Sequence, residues 1–282
     1  MKHRMIKFMP LVGAVIASAA ILLTPAADAQ LIGAKGGKRV AKSVPGGGPV
    51  ERIGTVEIDQ PNFGGPGVWG VPYITNMAVW MTDHEEVPFT ELGKAKFEAR
   101  RETHSALDPE GYCMPPGVPR MMYTPYPMKF IQQPDMITMI FEGGTHIWRE
   151  IPIGPKGWLK LPPVEELNPT YLGHSIGWWE GDTLVVETTG FNDRTWLDFA
   201  GHPHGEQLKV IERFDRVDSL NMRHTAIIED PEYYTEPWTV TINIGYQPDN
   251  YLLEYICQEN ERDSRHQEEL LIQEGYDLEL AR

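Results

Sequence analysis

A series of short, strand-like segments separated by turn residues occupies the second half of the chain and constrains the fold more than any other feature. Short strands at close spacing with hairpin turns are typical of an antiparallel up-and-down barrel or a sandwich. The 24 prolines and 27 glycines count against a helical bundle, because both residues are costly inside helices. We therefore expect an all-β fold of about eight strands. The predicted strands are 136–141, 146–151, 176–179, 183–191, 208–214, 222–228, 238–246 and 251–256.

The first 29 residues have the pattern of an export signal. Lys2, Arg4 and Lys7 precede an apolar stretch over 9–25, and Ala27-Asp28-Ala29 matches the small-residue pattern that signal peptidase cleaves. We expect cleavage after this site and a periplasmic or secreted protein. A retained N-terminal anchor helix is the alternative.

Composition divides the remaining chain into four parts. A flexible, Gly-rich leader is predicted over 30–50, and an irregular arm with one short helix over 51–110. The helix-like stretch within that arm is 89–103, where Thr90 can cap the first turn. The barrel domain is predicted over 111–262, and a polar tail or helix over 263–282.

The chain is acidic, with 25 Lys and Arg against 40 Asp and Glu and a formal charge of −15. Nucleic acids and anionic lipids are bound by basic patches, so this charge disfavours both as partners. After the signal, no apolar run is long enough to span a bilayer. A small molecule is the better candidate partner.

The two cysteines, Cys113 and Cys257, are the only ones in the chain. In an oxidising compartment two cysteines usually form one disulfide, so we predict that they pair. Two free, buried thiols are the alternative. So few cysteines at such a wide spacing disfavour a cysteine-based zinc site.

Several charged or histidine side chains fall on otherwise apolar faces of the predicted strands, and such positions point into a barrel. These candidates are Glu142, His146, Glu212, His224 and Glu254. A buried charge is costly unless it is paired, so we expect them to meet one another or an arginine such as Arg149. A purely structural ion-pair network, or an error in strand register, would account for the same pattern.

The loop 190–207 carries the highest density of reactive side chains. Its polar and aromatic residues include Asn192, Asp193, Arg194, Trp196, Asp198, His202, His204 and Glu206. A histidine oriented by a carboxylate can exchange a proton near neutral pH. Alternatively, His202 and His204 could bind a divalent transition metal such as zinc, with His174 as a third ligand. A surface loop organised by hydrogen bonds is the third interpretation.

Four motifs resemble those of a family of largely uncharacterised exported bacterial proteins: CMPPGVPR at 113–120, GHSIG at 173–177, WEGDTLVV at 179–186 and GHPH at 201–204. The resemblance covers roughly 107–260. It implies a calycin-like (lipocalin-like) β-barrel, and it implies no set of catalytic residues. A barrel of this size has room for one small ligand.

The hypothesis that follows is a cofactor-independent lyase or isomerase that acts on a hydrophobic or aromatic compound bearing a carboxylate. The predicted catalytic residues are His174, Asp198, His202 and His204. The predicted substrate-binding residues are Tyr126, Arg149, Trp179, Asn192, Arg194, Trp196, Glu212 and His224. A non-catalytic, calycin-like binding protein and a zinc-dependent enzyme with ligands His174, His202 and His204 are the alternatives.

Overall fold

Nine strands form one sheet within the residues that the computed structural model describes, which are 60–144, 147–259, 261 and 264–282. The strands are β1 (Val68–Gly70), β2 (Met128–Gln132), β3 (Met136–Phe141), β4 (Trp148–Pro152), β5 (His174–Glu180), β6 (Thr183–Thr189), β7 (Lys209–Arg216), β8 (Asn221–Glu229) and β9 (Trp238–Gln247). The predicted export signal and Gly-rich leader lie outside the described residues.

The sheet curls into a nearly closed barrel with the strand order β4-β3-β2-β1-β9-β8-β7-β6-β5, in which all neighbours are antiparallel. When nine strands alternate in direction, the first and the last run the same way. The two end strands of this sheet, β4 and β5, can therefore meet only as a parallel pair. They do so through a single bridge between Ile153 and Gly177, beside which the Gly154 amide donates to the Gly177 carbonyl over 3.1 Å. We call this junction of β4 and β5 the seam.

The predicted all-β, antiparallel up-and-down barrel is confirmed, with nine strands instead of about eight. The segment 251–256 is not a strand, so that prediction is wrong. Both edges of β9 are already paired, to β8 and β1, which leaves no neighbouring edge for the segment. Several of its apolar side chains lie in solvent instead: Tyr251 is 66% exposed and Leu253 is 57% exposed.

Two strands have no counterpart in the prediction. The short β1 comes from the Gly- and Pro-rich arm and lies in the sheet between β2 and β9, where Trp69 pairs with Met128 and Tyr246. β2 follows a proline-rich turn and pairs along its whole length with β3. The arm therefore contributes to the barrel wall.

Alternation of side chains along the strands fills the barrel interior. In β7 and β8 every second residue is buried, and the inward positions are apolar except for Glu212 and His224. Their neighbours on these faces include Phe214, Met222 and Ala226, which are 0% exposed. The interior is thus an apolar core with a small polar centre.

In the part of the chain that the structure describes, three helices pack outside the barrel: α1 (Glu91–Glu102), α2 (Ser264–Glu274) and α3 (Leu278–Ala281). Short 3-10 turns occur at Met77–Trp80, Pro109–Tyr112, Arg120–Met122, Val164–Glu166 and Cys257–Glu259. Thr90 caps α1 by accepting a hydrogen bond from the Gly93 amide, as its sequence position indicates. Among the described residues no helix combines the length and the apolar character that crossing a bilayer requires.

Cys113 and Cys257 form the predicted disulfide, which joins residues 144 positions apart. It fastens the segment that follows β9 to the 3-10 turn that precedes Cys113. Since the link closes a long loop, it removes much conformational freedom from the unfolded chain.

We predict that the Cys113→Ser/Cys257→Ser double variant loses up to about 5 kcal/mol of unfolding free energy, the chain-entropy value for a loop of this length. Urea denaturation followed by tryptophan fluorescence measures the loss. Full reduction of the unchanged protein should produce a comparable decrease. An identical urea midpoint before and after reduction would contradict the prediction.

Candidate functional site

A buried ion-pair network occupies the centre of the barrel. The Oε2 atom of Glu212 lies 2.6 Å from Nη2 of Arg149, and its Oε1 atom lies 3.1 Å from Nε2 of His224. The side chains of Glu212 and His224 are 0% exposed, and that of Arg149 is 2% exposed. Three strands, β4, β7 and β8, therefore bring one guanidinium, one carboxylate and one imidazole together away from water.

Arg149 also makes contacts across the seam. Its Nε donates to Oγ of Ser175 on β5 over 3.1 Å, and its Nη2 donates to Oγ1 of Thr188 on β6 over 2.7 Å. The two hydroxyls are 3.1 Å from each other. One side chain thus connects β4 to β5 and β6. It does so across the seam, where a single backbone bridge joins β4 and β5.

The charge state of Glu212 is set by two opposing effects. Burial raises the pKa of this carboxyl, but the guanidinium of Arg149 and the hydrogen bond from His224 outweigh burial and lower the pKa to about 2. Glu212 is therefore ionised at neutral pH. It orients the imidazole by accepting the hydrogen bond from Nε2.

Four polar atoms of this region are buried without a hydrogen bond: Nδ1 of His224, Nη1 of Arg149, the hydroxyl of Tyr123, and Oε2 of Glu212, whose contact is the ion pair with Arg149. The Tyr123 ring centroid lies 5.9 Å from that of His224. Burial, followed by the charge of Glu212, raises the pKa of Tyr123 well above its usual value, so the phenol keeps its proton. Unpaired buried polar groups are costly, and a concentration of them is typical of sites that receive a ligand.

A cavity of about 370 Å³ opens beside the seam and reaches Arg149 and Ser175. Its volume falls within the range of pockets that hold small molecules. The apolar part of its wall consists of Pro115, Ile147, Trp148 and Leu172. The cavity therefore combines an apolar wall with Arg149, the cationic side chain that also pairs with Glu212 in the barrel centre. We call it the seam cavity.

Much of the loop 190–207 is buried and hydrogen-bonded, although Asp193, Arg194, Phe199, Glu206 and Gln207 are exposed. Nδ1 of His202 lies 2.7 Å from Oδ2 of Asp198, which also accepts from the Met77 amide, while Oδ1 accepts from the Gly201 and His202 amides. The His202 ring packs against Phe97, with 4.5 Å between centroids. The sequence predicts the Asp198–His202 pair, and in the structure its hydrogen bonds hold the loop to the arm.

His204 is likewise enclosed. Its Nε2 lies 2.6 Å from Oγ1 of Thr195, and its Nδ1 lies 3.2 Å from the carbonyl of Gly205. Burial lowers the pKa of His204 to about 4, so the imidazole is neutral at physiological pH. His204 is 1% exposed, and both of its ring nitrogens have protein partners.

His174 lies apart from these two histidines, at the start of β5, where its Nε2 contacts the carbonyl of Asn168 over 2.8 Å. In the described part of the chain no three His, Cys, Asp or Glu side chains form a group able to hold a metal ion. The structure therefore does not bring His174, His202 and His204 together as the zinc alternative requires.

The remaining predicted binding residues are dispersed. Tyr126 lies near the disulfide against Tyr255, Trp179 stacks on Phe63 in the core, and Trp196 packs under the guanidinium of Arg100. Asn192 accepts a hydrogen bond from the Arg194 amide in its own loop. Of the eight predicted binding residues, Arg149, Glu212 and His224 meet at one point.

Two of the predicted inward-facing acids do not face the interior. Glu142 follows the end of β3 and its Oε2 accepts from the Leu253 amide over 2.6 Å. Glu254 is exposed in the segment that is not a strand. His146 lies outside the described residues.

Three members of the network were not predicted from the sequence. Thr188 and Ser175 could have been identified, because each shares an inward strand face with apolar or core residues. Tyr123 sits just after a 3-10 turn, and no local periodicity marks its direction.

Comparisons with known proteins assign no family to the chain: no family profile matches it, and no curated protein or solved structure is significantly similar to it. The motif resemblance therefore stays a prediction. The assignment of a site depends on the geometry of the barrel interior.

We predict that Glu212→Gln destabilises the protein by about 3 to 5 kcal/mol, because it leaves the guanidinium of Arg149 buried without its counter-charge. The matched control is Arg213→Gln, on the opposite face of the same strand, which should cost less than about 1 kcal/mol because its ion pair with Glu180 is partly exposed. Urea denaturation at neutral pH measures the loss of unfolding free energy in both variants. Equal losses in the two variants would contradict a buried network.

The lowered pKa of His204 predicts a pH dependence of stability. Between pH 6.5 and 4 the unfolded chain binds a proton at this residue and the folded chain does not, so stability falls as the pH falls through this window. His204→Gln should reduce that fall by about 3 kcal/mol relative to the unchanged protein. Urea denaturation at pH 7 and pH 4 measures this change in the free energy of unfolding. The control is His266→Gln, at an exposed position of α2. Parallel pH profiles for His204→Gln and the unchanged protein would contradict the prediction.

Proposed function

We propose that this protein is an exported, cofactor-independent enzyme of the lyase or isomerase type, which uses the barrel centre for acid–base chemistry on a small molecule. The observation that carries the proposal is the set of unpaired, buried polar atoms on His224, Arg149 and Tyr123 around one ionised carboxylate. The exported location rests on the sequence of the first 29 residues.

The chemistry follows from the direction of each hydrogen bond. Because Nε2 of His224 donates to Glu212, its Nδ1 faces away from the carboxylate with no protein partner. An imidazole held in this way can take a proton from a substrate carbon at Nδ1 and return it at another position. Nη1 of Arg149 and the neutral hydroxyl of Tyr123 are donors that would stabilise the negative charge that develops on a substrate oxygen.

The proposed substrate is a hydrophobic or aromatic compound that bears a carboxylate. The apolar wall of the seam cavity suits its body, and Arg149, which lines the cavity while Glu212 and His224 lie behind it, suits its carboxylate. The seam is also a natural route inward, since β4 and β5 are joined by a single bridge and the cavity opens beside them.

A non-catalytic, calycin-like binding protein is the second candidate. The observation that favours it is the complete burial of Glu212 and His224, both 0% exposed, behind Arg149. In this alternative Arg149 holds the ligand carboxylate in the seam cavity, and the Glu212–His224 pair fixes the position of the guanidinium.

The test uses phenylpyruvate, which combines an aromatic ring, a carboxylate and an acidic C–H group, with cinnamate as a second probe. Calorimetry measures binding, and proton NMR in D2O measures exchange of the C3 protons of phenylpyruvate. We predict binding by the unchanged protein and exchange faster than in buffer. His224→Gln should lower the exchange rate at least about a hundredfold, the usual contribution of a general base, with little change in affinity.

Two controls make the result specific. Arg223→Gln, on the outward face of β8 next to His224, should leave exchange and binding unchanged. Arg149→Met should weaken binding of both probes. Binding without exchange would favour the second candidate, and failure of the unchanged protein to bind either probe would contradict the proposed substrate class.

A further inference from the structure

A second, larger cavity of about 770 Å³ lies outside the barrel, between the turn that precedes the disulfide and α2. We call it the outer cavity. The residues of its wall that matter here are Tyr73, Asp108, Glu110, Tyr126, Phe199 and Glu274. None of them belongs to the Arg149–Glu212–His224 network. From this wall we infer that the outer cavity binds an organic cation of the quaternary-ammonium class, independently of the proposed enzymatic function.

Aromatic rings form much of the wall, and two of them remain open to solvent. Tyr73 is 57% exposed and Phe199 is 42% exposed, although such side chains normally bury most of their surface. Tyr126 lies deeper, with its ring centroid 4.7 Å from that of Tyr255. Burial raises the pKa of Tyr126, so its phenol stays neutral and its ring presents the electron-rich face that attracts cations.

The charge of the wall has the sign that a cation requires. Among the described residues of the outer cavity, four carboxylates, on Asp108, Glu110, Glu261 and Glu274, stand against a single arginine, Arg120. Negative charge therefore exceeds positive charge. In a partly enclosed space such an excess raises the local concentration of cations.

Arg120 is committed to its own carboxylates and does not offer a site for an anion. It donates to both oxygens of Asp108, over 2.8 and 2.6 Å, and its Nη2 lies 2.8 Å from Oε2 of Glu110. Its side chain is 5% exposed. The guanidinium fixes two carboxylates at the base of the wall and leaves a net negative charge there.

The donor set distinguishes an organic cation from a metal ion. A metal needs several oxygen or nitrogen ligands around one point, and the carboxylates of this wall do not form such a group within the described chain. A wall that contains both carboxylates and aromatic rings suits a large, weakly hydrated cation. Recognition of choline-like groups by aromatic rings uses this chemistry.

The backbone of the wall supports a specialised role. Within the described residues, the non-glycine positions with positive φ are His104, Ser105 and Cys113, and all three line the outer cavity. This conformation is uncommon for such residues and is found preferentially at sites that hold ligands.

The test compares choline with 3,3-dimethylbutan-1-ol, which has the same shape without the positive charge. Calorimetry or saturation-transfer NMR on the full chain measures the binding of both probes. We expect choline to bind at least about tenfold more tightly than the neutral alcohol. Tyr73→Ala and Phe199→Ala should each weaken choline binding about fivefold, the loss of one cation–aromatic contact.

The control is Tyr251→Ala, a tyrosine of similar exposure, 66%, that does not line the outer cavity. It should leave choline binding unchanged. Because Tyr73, Phe199 and Tyr251 are all exposed, the three variants are expected to fold, and circular dichroism checks this. Absence of choline binding, equal binding of the neutral alcohol, or full affinity in both Tyr73→Ala and Phe199→Ala would overturn the proposal.

Discussion

The ion pair between Arg149 and Glu212 is the interaction on which the barrel interior depends. Nine alternating strands cannot close with antiparallel pairs alone, and the resulting seam has a single backbone bridge. Arg149 extends from β4 and reaches Ser175 on β5, Thr188 on β6 and Glu212 on β7. A guanidinium can make these contacts at once because its five donors lie in a fixed plane. One charged side chain thereby joins strands on both sides of the seam.

The histidines of this protein differ in whether their hydrogen bonds are complete. His204 has a partner on both ring nitrogens, and Nδ1 of His202 is bonded to the carboxylate of Asp198, so both histidines stabilise the loop that carries them. His224 has a partner on one nitrogen alone, although it is 0% exposed. A fold can tolerate such an unpaired group where it has a role other than packing. For this reason the proposed site lies in the barrel interior and not in the loop that is richest in polar residues.

Much of the fold, and part of the site, could be predicted from the sequence. Strict alternation in β7 and β8 places Glu212 and His224 on inward faces, and a buried carboxylate requires a cation, which is Arg149. The rest depends on contacts between distant segments. No local pattern reveals that a three-residue strand from a Gly-rich arm completes the wall, or that 251–256 has no free edge to pair with. Burial of the loop 190–207 likewise results from packing against α1 and the arm.

The central claim is that the interior network leaves Nδ1 of His224 free to act on a bound ligand, and nitrogen NMR of histidine-labelled protein tests it most directly. The account predicts that Nε2 carries the hydrogen and Nδ1 does not, because Nε2 faces the carboxylate of Glu212. Addition of phenylpyruvate should then shift the Nδ1 resonance of His224, assigned with His224→Gln, while those of His202 and His204 stay in place. A hydrogen on Nδ1 in place of Nε2, or a His224 signal that does not respond to a bound ligand, would contradict the account.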